Sequence, residues 1–174
     1  MGRGHTQRVV QHTLELARRM GMAESDLVHV RRGALLNDIG KMGIPDSFLL
    51  KPRPLSEDEW VIMRKHAVFA YQLMAPIDIP YGHHEKWEGT GYPQGLKGEQ
   101  IPLATRVFSG VDVWDGLRSD RPHREAWTSE RALTYLRSES GRQFDPRVVE
   151  EFLQLIVGEQ SEAQQAQPVG APKA

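Results

Sequence analysis

The 174-residue sequence contains no cysteine. That absence excludes disulfides, iron–sulfur clusters, thiolate zinc sites and thiol nucleophiles together. Any metal chemistry must use imidazole, carboxylate, amide and water, a donor set suited to Fe, Mn, Zn or Mg. No apolar run approaches the roughly 20 residues that span a bilayer, and no secretory leader opens the chain. No membrane attachment is therefore expected, and the cytoplasm is the expected address. An excess of one charge sign is missing too, since 22 Lys plus Arg stand against 23 Asp plus Glu. No global field draws the chain to a nucleic acid polymer, so an anionic ligand must be held by a local cluster. There is no internal repeat and no convincing alternating strand pattern.

What remains is helical periodicity. Val9, Val10, Leu14, Ala17 and Met20 recur at helical spacing, and Gly21 ends the run as a C-terminal cap. Asp26 is expected to cap a second helix carrying Leu27, Val30, Ala34 and Leu35. Ser56 and Glu59 form a capping box ahead of one helix through Trp60, Met63, Ala67, Ala70 and Leu73. Further helices are expected over 103–117 and from Ser129 to near Gly141. The last starts at Asp145-Pro146 and carries Val149, Phe152, Leu153 and Ile156. Gly- and Pro-rich loops occupy 43–54 and 88–102. The prediction is an all-α domain over 1–158, followed by a solvated, disordered tail over 159–174.

Against this background the stretch HHEKWEGTGYP at 83–93 stands out. Adjacent imidazoles beside a carboxylate are costly to bury, and a bound metal is the usual compensation. The glycines and the proline fix a loop that backbone or ligand can approach closely. Helical arithmetic supplies partners for the histidines. Asp38 falls four residues after Ala34, and Asn37 seven after Val30. His66 falls four after Ile62, Asp112 four after Phe108, and His5 four before Val9. One polar residue on an inner face is ordinarily a satisfied core group. Two carboxylates and four imidazoles on the inner faces of different helices point instead to a shared metal centre. His12 and His29 are read as exposed or structurally paired, and His123 as part of a polar turn. His84-Glu85 is no zincin signature, because Glu88 stands where the second histidine belongs.

In this order the segments resemble the HD-GYP family, metal-dependent phosphodiesterases of the HD superfamily. The resemblance runs from about His5 to Leu155 and rests on HTQRV, NDIGKMGIPD, the lone His66, HHEKWEGTGYP, GLKGEQIPL and DVWDGLRSDRPHR. It implies a helical bundle with the metal site in its core and the GYP loop at its mouth. It implies hydrolysis of cyclic di-GMP to pGpG, GMP or both. His5, Asn37, Asp38, His66, His83, His84 and Asp112 stand at the positions of a binuclear divalent centre, of Fe or Mn, with Zn, Ni and Mg left open. Asp38 and Lys41 would take part in catalysis. Lys41, Gly91, Tyr92, Pro93, Arg121 and Arg124 would contact substrate. A sensor, receiver or GGDEF-type protein is an expected partner, since the family is commonly fused to such domains.

The chain departs from the family pattern in identifiable places. Asn37 replaces the signature histidine of the His-Asp pair, and an amide oxygen is a weaker donor to these metals than imidazole. The link over 67–82 is short, which threatens the placement of His83 and His84. Met1 stands where some members carry a glutamate for a third metal, so two metals are the expected maximum. His123 replaces a tyrosine, and Gly116 replaces a helical alanine at about 1 kcal/mol of propensity. An alternative reading is therefore a degenerate domain that binds nucleotide or a partner protein without turnover.

Overall fold

The computed structural model describes residues 3–74, 77–120 and 124–165. Among them there is no strand, and an isolated bridge pairs Ser140 with Phe144. Helix α1 spans Arg3–Arg19, α2 Glu24–Leu35, α3 Asp46–Leu49, α4 Glu57–Met63 and α5 Lys65–Met74. Then come α6 Asp78–Gly82, α7 Leu103–Leu117, α8 Ser129–Ser138 and α9 Pro146–Gln165. A 3-10 turn over Ile39–Gly43 connects α2 to α3.

Local signals explain most boundaries. After α1, Gly21 adopts φ +80°. There the Met22 amide reaches the Ala17 carbonyl and the Gly21 amide the Arg18 carbonyl, the paired bonds of a Schellman end. Ser56 and Glu59 form the expected reciprocal capping box on α4. Helix α2 starts earlier than expected. Ala23 is its N-cap, and Asp26 lies inside the first turn with Glu24, where both carboxylates face the positive end of the helix dipole. Helix α9 continues to Gln165, past the boundary expected at 158, because Glu159, Gln160 and Glu162 are good helix formers.

The single helix expected from Ser56 onward is divided at Arg64. The His66 Nδ1 donates to the Met63 carbonyl at 2.7 Å. A side chain inserted into the backbone ladder is a recognised cause of such a break.

Helix α7 runs through the centre of the bundle, with Val107, Phe108, Val111 and Trp114 inaccessible to solvent. Leu16 and Ala17 of α1, Leu136 of α8 and Phe152 of α9 close over it. A fully buried side chain of this size contributes about 1.5–3 kcal/mol. Two glycines allow close packing beside the histidines. A Cβ on Gly40 would lie 1.8 Å from the His66 carbonyl oxygen, so the 3-10 turn rests directly on α5. A Cβ on Gly33 would lie 2.9 Å from Ile79, which lets α2 approach α6.

Candidate metal centre

Helix α5 presents His66 from its first turn. Helix α6 ends at Gly82 and delivers His83 and His84 immediately after it. One ring nitrogen from each of these three imidazoles lies within 4.8 Å of the others. The short link therefore still brings His83 and His84 to His66, with α6 making the turn; residues 75 and 76 lie outside the described residues. The Nε2 atoms of His66 and His84 are 3.1 Å apart. The His83 and His84 rings are 3.9 Å apart. On α7, Ser109 Oγ reaches the His83 carbonyl at 3.0 Å, and Phe108 meets the His83 ring edge-on.

The electrostatics keep this cluster neutral. Burial, with Asp38 opposing and His66 assisting, pushes His83 down to about 4. Burial and the neighbouring imidazoles push His84 to about 2. Burial also lowers His66. Neutral imidazoles carry lone pairs, which is the form that binds metal. The Nδ1 of His66 donates to the Met63 carbonyl, and the Nδ1 of His83 to the Ile79 carbonyl at 3.2 Å. Those bonds leave Nε2 as the lone-pair nitrogen in both rings.

Asp38 stands at the start of the 3-10 turn beside the cluster, close enough for its charge to act on His66, His83 and Tyr92. Its carboxylate pairs with Lys41 at 2.7 Å. Asn37 is half-buried next to it, in the turn that follows α2. Asp112 is half-buried on α7, one turn after Phe108. His5, Asp38 and Asp112 are not members of the close imidazole group.

His5 instead pairs through Nδ1 with Asp115, a carboxylate that also accepts from Arg8 Nε at 2.7 Å and from Ser119 at 3.2 Å. Burial would raise the Asp115 carboxyl, but the bonds from Arg8 and His5 prevail and hold it below the usual range. Asp115 thus ties α1 to α7. The sequence reading missed it, although Asp115 follows Phe108 by seven residues and Arg8 follows His5 by three, both same-face spacings.

The loop over 85–96 forms the wall of the site. Glu85 is buried and accepts from the Gln94 amide at 2.7 Å and the Leu96 amide at 3.0 Å. It clasps the loop. The Tyr92 amide donates to the His84 carbonyl at 3.2 Å, and the Tyr92 ring stacks on His84 at 4.7 Å and 25°. A Cβ on Gly91 would lie 2.4 Å from the Lys86 nitrogen, so only glycine lets the loop fold back on this turn. Pro93 follows Tyr92 through a cis bond and is half-buried. Burial raises the Tyr92 hydroxyl to about 12, so it stays protonated. Arg64 lies over the same ring, its Cζ 5.6 Å from the centroid.

Two arginines were expected to contact substrate. Arg121 lies outside the described residues. Arg124 is engaged elsewhere: it donates to the Gly116 carbonyl at 2.6 Å and lies over Trp127 at 5.6 Å. Among the other histidines, His12 pairs with Glu159 at 3.2 Å and His29 is exposed, while His123 lies outside the described residues.

Comparison with known proteins agrees with this architecture. A family model described as HD domain matches residues 2–148. The "Cyclic di-GMP phosphodiesterase response regulator RpfG" of Xanthomonas campestris is 43% identical, over 79% of this chain and 39% of that protein. A "Cyclic di-GMP phosphodiesterase" of Thermotoga maritima is 38% identical, over 87% of this chain and 44% of that protein. A "3'3'-cGAMP-specific phosphodiesterase 2" of Vibrio cholerae is 37% identical, over 86% and 30%. The chain thus spans less than half the length of these relatives. A solved cyclic GMP-AMP specific phosphodiesterase of V. cholerae superposes with a TM-score of 0.66 at 20% identity, over 94% of this chain and 46% of that one. An HDG"Y"P protein from Bdellovibrio bacteriovorus gives a TM-score of 0.68 at 20% identity, over 87% and 51%. At that identity the likeness is one of fold.

Proposed function

The chain belongs to the HD domain family, in its HD-GYP branch, and from that premise we propose a metal-dependent phosphodiesterase that hydrolyses cyclic di-GMP to pGpG, GMP or both in bacterial second-messenger signalling. The observation that carries the reading is the trio of neutral imidazoles, two buried and one half-buried, beside Tyr92 and within reach of the Lys41 charge. The fit to a cation follows from the donor set. The Nε2 atoms of His66 and His84 are 3.1 Å apart, close enough for the neutral His84 ring to donate its one proton to the His66 lone pair. A divalent cation would take the place of that proton and accept both lone pairs.

His66, His83 and His84 would hold a divalent ion, with Asp38 beside them. His5, Asn37 and Asp112 would complete the donors of a binuclear centre, of Fe or Mn by preference. When bound, such ions polarise the phosphoryl group and acidify water at neutral pH. The chain's own groups do the rest. Lys41 neutralises developing phosphate charge, exchanging its pairing with Asp38 for the substrate. The protonated Tyr92, with Gly91 and Pro93, shapes the wall against which the nucleotide lies. Arg124 is not included among the substrate contacts, because its guanidinium is committed to Gly116 and Trp127; Arg121 is retained. A sensor, receiver or GGDEF-type protein is the proposed partner and the cytoplasm the proposed address. No helix among the described residues is long and apolar enough to cross a membrane.

A second reading, nucleotide or protein binding without turnover, is favoured by Asn37, whose amide oxygen replaces an imidazole among these donors. Metal content and cyclic di-GMP turnover, measured beside Asn37→His, separate the two. Turnover by the unmodified protein is the expected result. Turnover confined to Asn37→His would establish the degenerate reading, and absence of metal from both proteins would remove the centre itself.

A further inference from the structure

The residue between α4 and α5 carries a charge that nothing described in the fold uses. Arg64 is exposed, and among the described residues no carboxylate lies within ion-pair distance of it. Several neighbouring cations have partners of their own in the fold. Lys41 pairs with Asp38, Arg8 with Asp115, Arg106 with Asp145, and Arg124 with the Gly116 carbonyl. The Arg64 guanidinium is nonetheless held in place by the Tyr92 ring at 5.6 Å. His84 stacks on the same Tyr92 ring at 4.7 Å. Tyr92 therefore touches both the imidazole cluster and the exposed Arg64 guanidinium.

A guanidinium lying on an aromatic face keeps the N–H groups at its edge free for a planar anion. A cyclic dinucleotide carries two phosphodiesters, one on each side of its ring. When one is cut at the imidazole cluster beside Lys41, the other projects away from it and needs a separate cation. We propose that Arg64 binds this second, uncut phosphate, and that it makes the site selective for substrates with two phosphodiesters. The inference rests on the proposed function above. The placement of Arg64 follows from the same local event that presents His66: the imidazole takes the Met63 carbonyl, α4 ends, and Arg64 turns out over Tyr92.

The test is calorimetric titration of the whole chain with cyclic di-GMP and with cyclic di-AMP, which share both phosphates and differ in their bases. Arg64→Gln is expected to weaken both by about ten- to hundredfold, as loss of a charged hydrogen bond does. Arg64→Lys should fall between, keeping charge and losing the fork. The thermal midpoint should stay at the wild-type value in both variants, since Arg64 is exposed. Wild-type binding that Arg64→Gln leaves unchanged overturns the assignment while leaving the site intact. Weakening of the guanine ligand alone would make Arg64 a base reader and refute the phosphate role. If the wild-type chain binds neither dinucleotide, the proposed function falls and this inference with it.

Discussion

The carboxylate within the HHE stretch separates two views of the site. Beside two histidines Glu85 has the look of a ligand, yet its oxygens accept the Gln94 and Leu96 amides at 2.7 and 3.0 Å. Glu85→Gln offers one oxygen where the wild type has two, so one amide loses its acceptor and faces an NH2 group. A hydrogen bond to a charged group contributes about 1.5–3 kcal/mol, and a stranded buried N–H costs about 1–3 more, which together weaken the loop by about 3–6 kcal/mol. Because the loop can open without unfolding the bundle, the loss should appear locally. At about 1.4 kcal/mol per decade, amide exchange at Gln94 and Leu96 should accelerate by about a hundredfold or more. Metal content should fall less than in His83→Ala, because His66 and His83 keep their own Nδ1 bonds and only His84 loses the support of the loop. Protected amides combined with metal loss as complete as in His83→Ala would refute the reasoning and make Glu85 a ligand.

Other perturbations probe the same region. Gly91→Ala places a methyl carbon 2.4 Å from the Lys86 nitrogen and 2.5 Å from the Glu85 Cα. Neither backbone atom can move aside, so the loop must shift by about 1 Å, enough to reduce phosphodiesterase turnover by about a hundredfold; unchanged turnover would show that Tyr92 is not needed where it sits. The histidine cluster also makes a pH prediction for the metal-free protein. Its folded-state values lie below the ordinary 6.5, so in mild acid the unfolded chain binds protons that the native cluster refuses. Stability is then full above pH about 6.5 and declines as pH falls, by at most about 1.4 kcal/mol per unit for each histidine. Urea unfolding between pH 8 and pH 5 measures this, and a midpoint that rises on acidification would contradict it.

The helical fold was legible because its cues are local. Gly21 at a helix end, the Ser56–Glu59 box and Pro146 at a first helical position all act within one turn of chain. The close imidazole group was legible for a related reason: His66, His83 and His84 cannot be buried singly at low cost. What escaped depends on contacts between distant segments. Periodicity runs unbroken through Arg64, and only the competition of the His66 ring for the Met63 carbonyl divides the helix. The exit of Arg64 over Tyr92 was invisible for the same reason. Arg124 and Arg121 looked equivalent at a spacing of three residues, yet the first is captured by the carbonyl of Gly116, eight residues back. Glu85 was read with its neighbours in sequence, whereas its partners lie nine and eleven residues on.

The three imidazoles are oriented in two different ways, and the difference assigns the loop its work. His66 and His83 each give Nδ1–H to a carbonyl a turn earlier in the chain, so their Nε2 lone pairs are set by local structure. Any chain that builds those turns sets both tautomers. For His84 the observed restraint is stacking against Tyr92 at 25°, a contact supplied by a loop that Glu85 clasps and Gly91 lets close. The GYP segment therefore serves the imidazole cluster as well as the substrate. Changes in the loop should loosen the third donor and leave the first two in place. The histidine on which a cation's retention most depends is then the one whose geometry is set from outside its own turn, and Arg64, which lies over the same Tyr92 ring, shares that support.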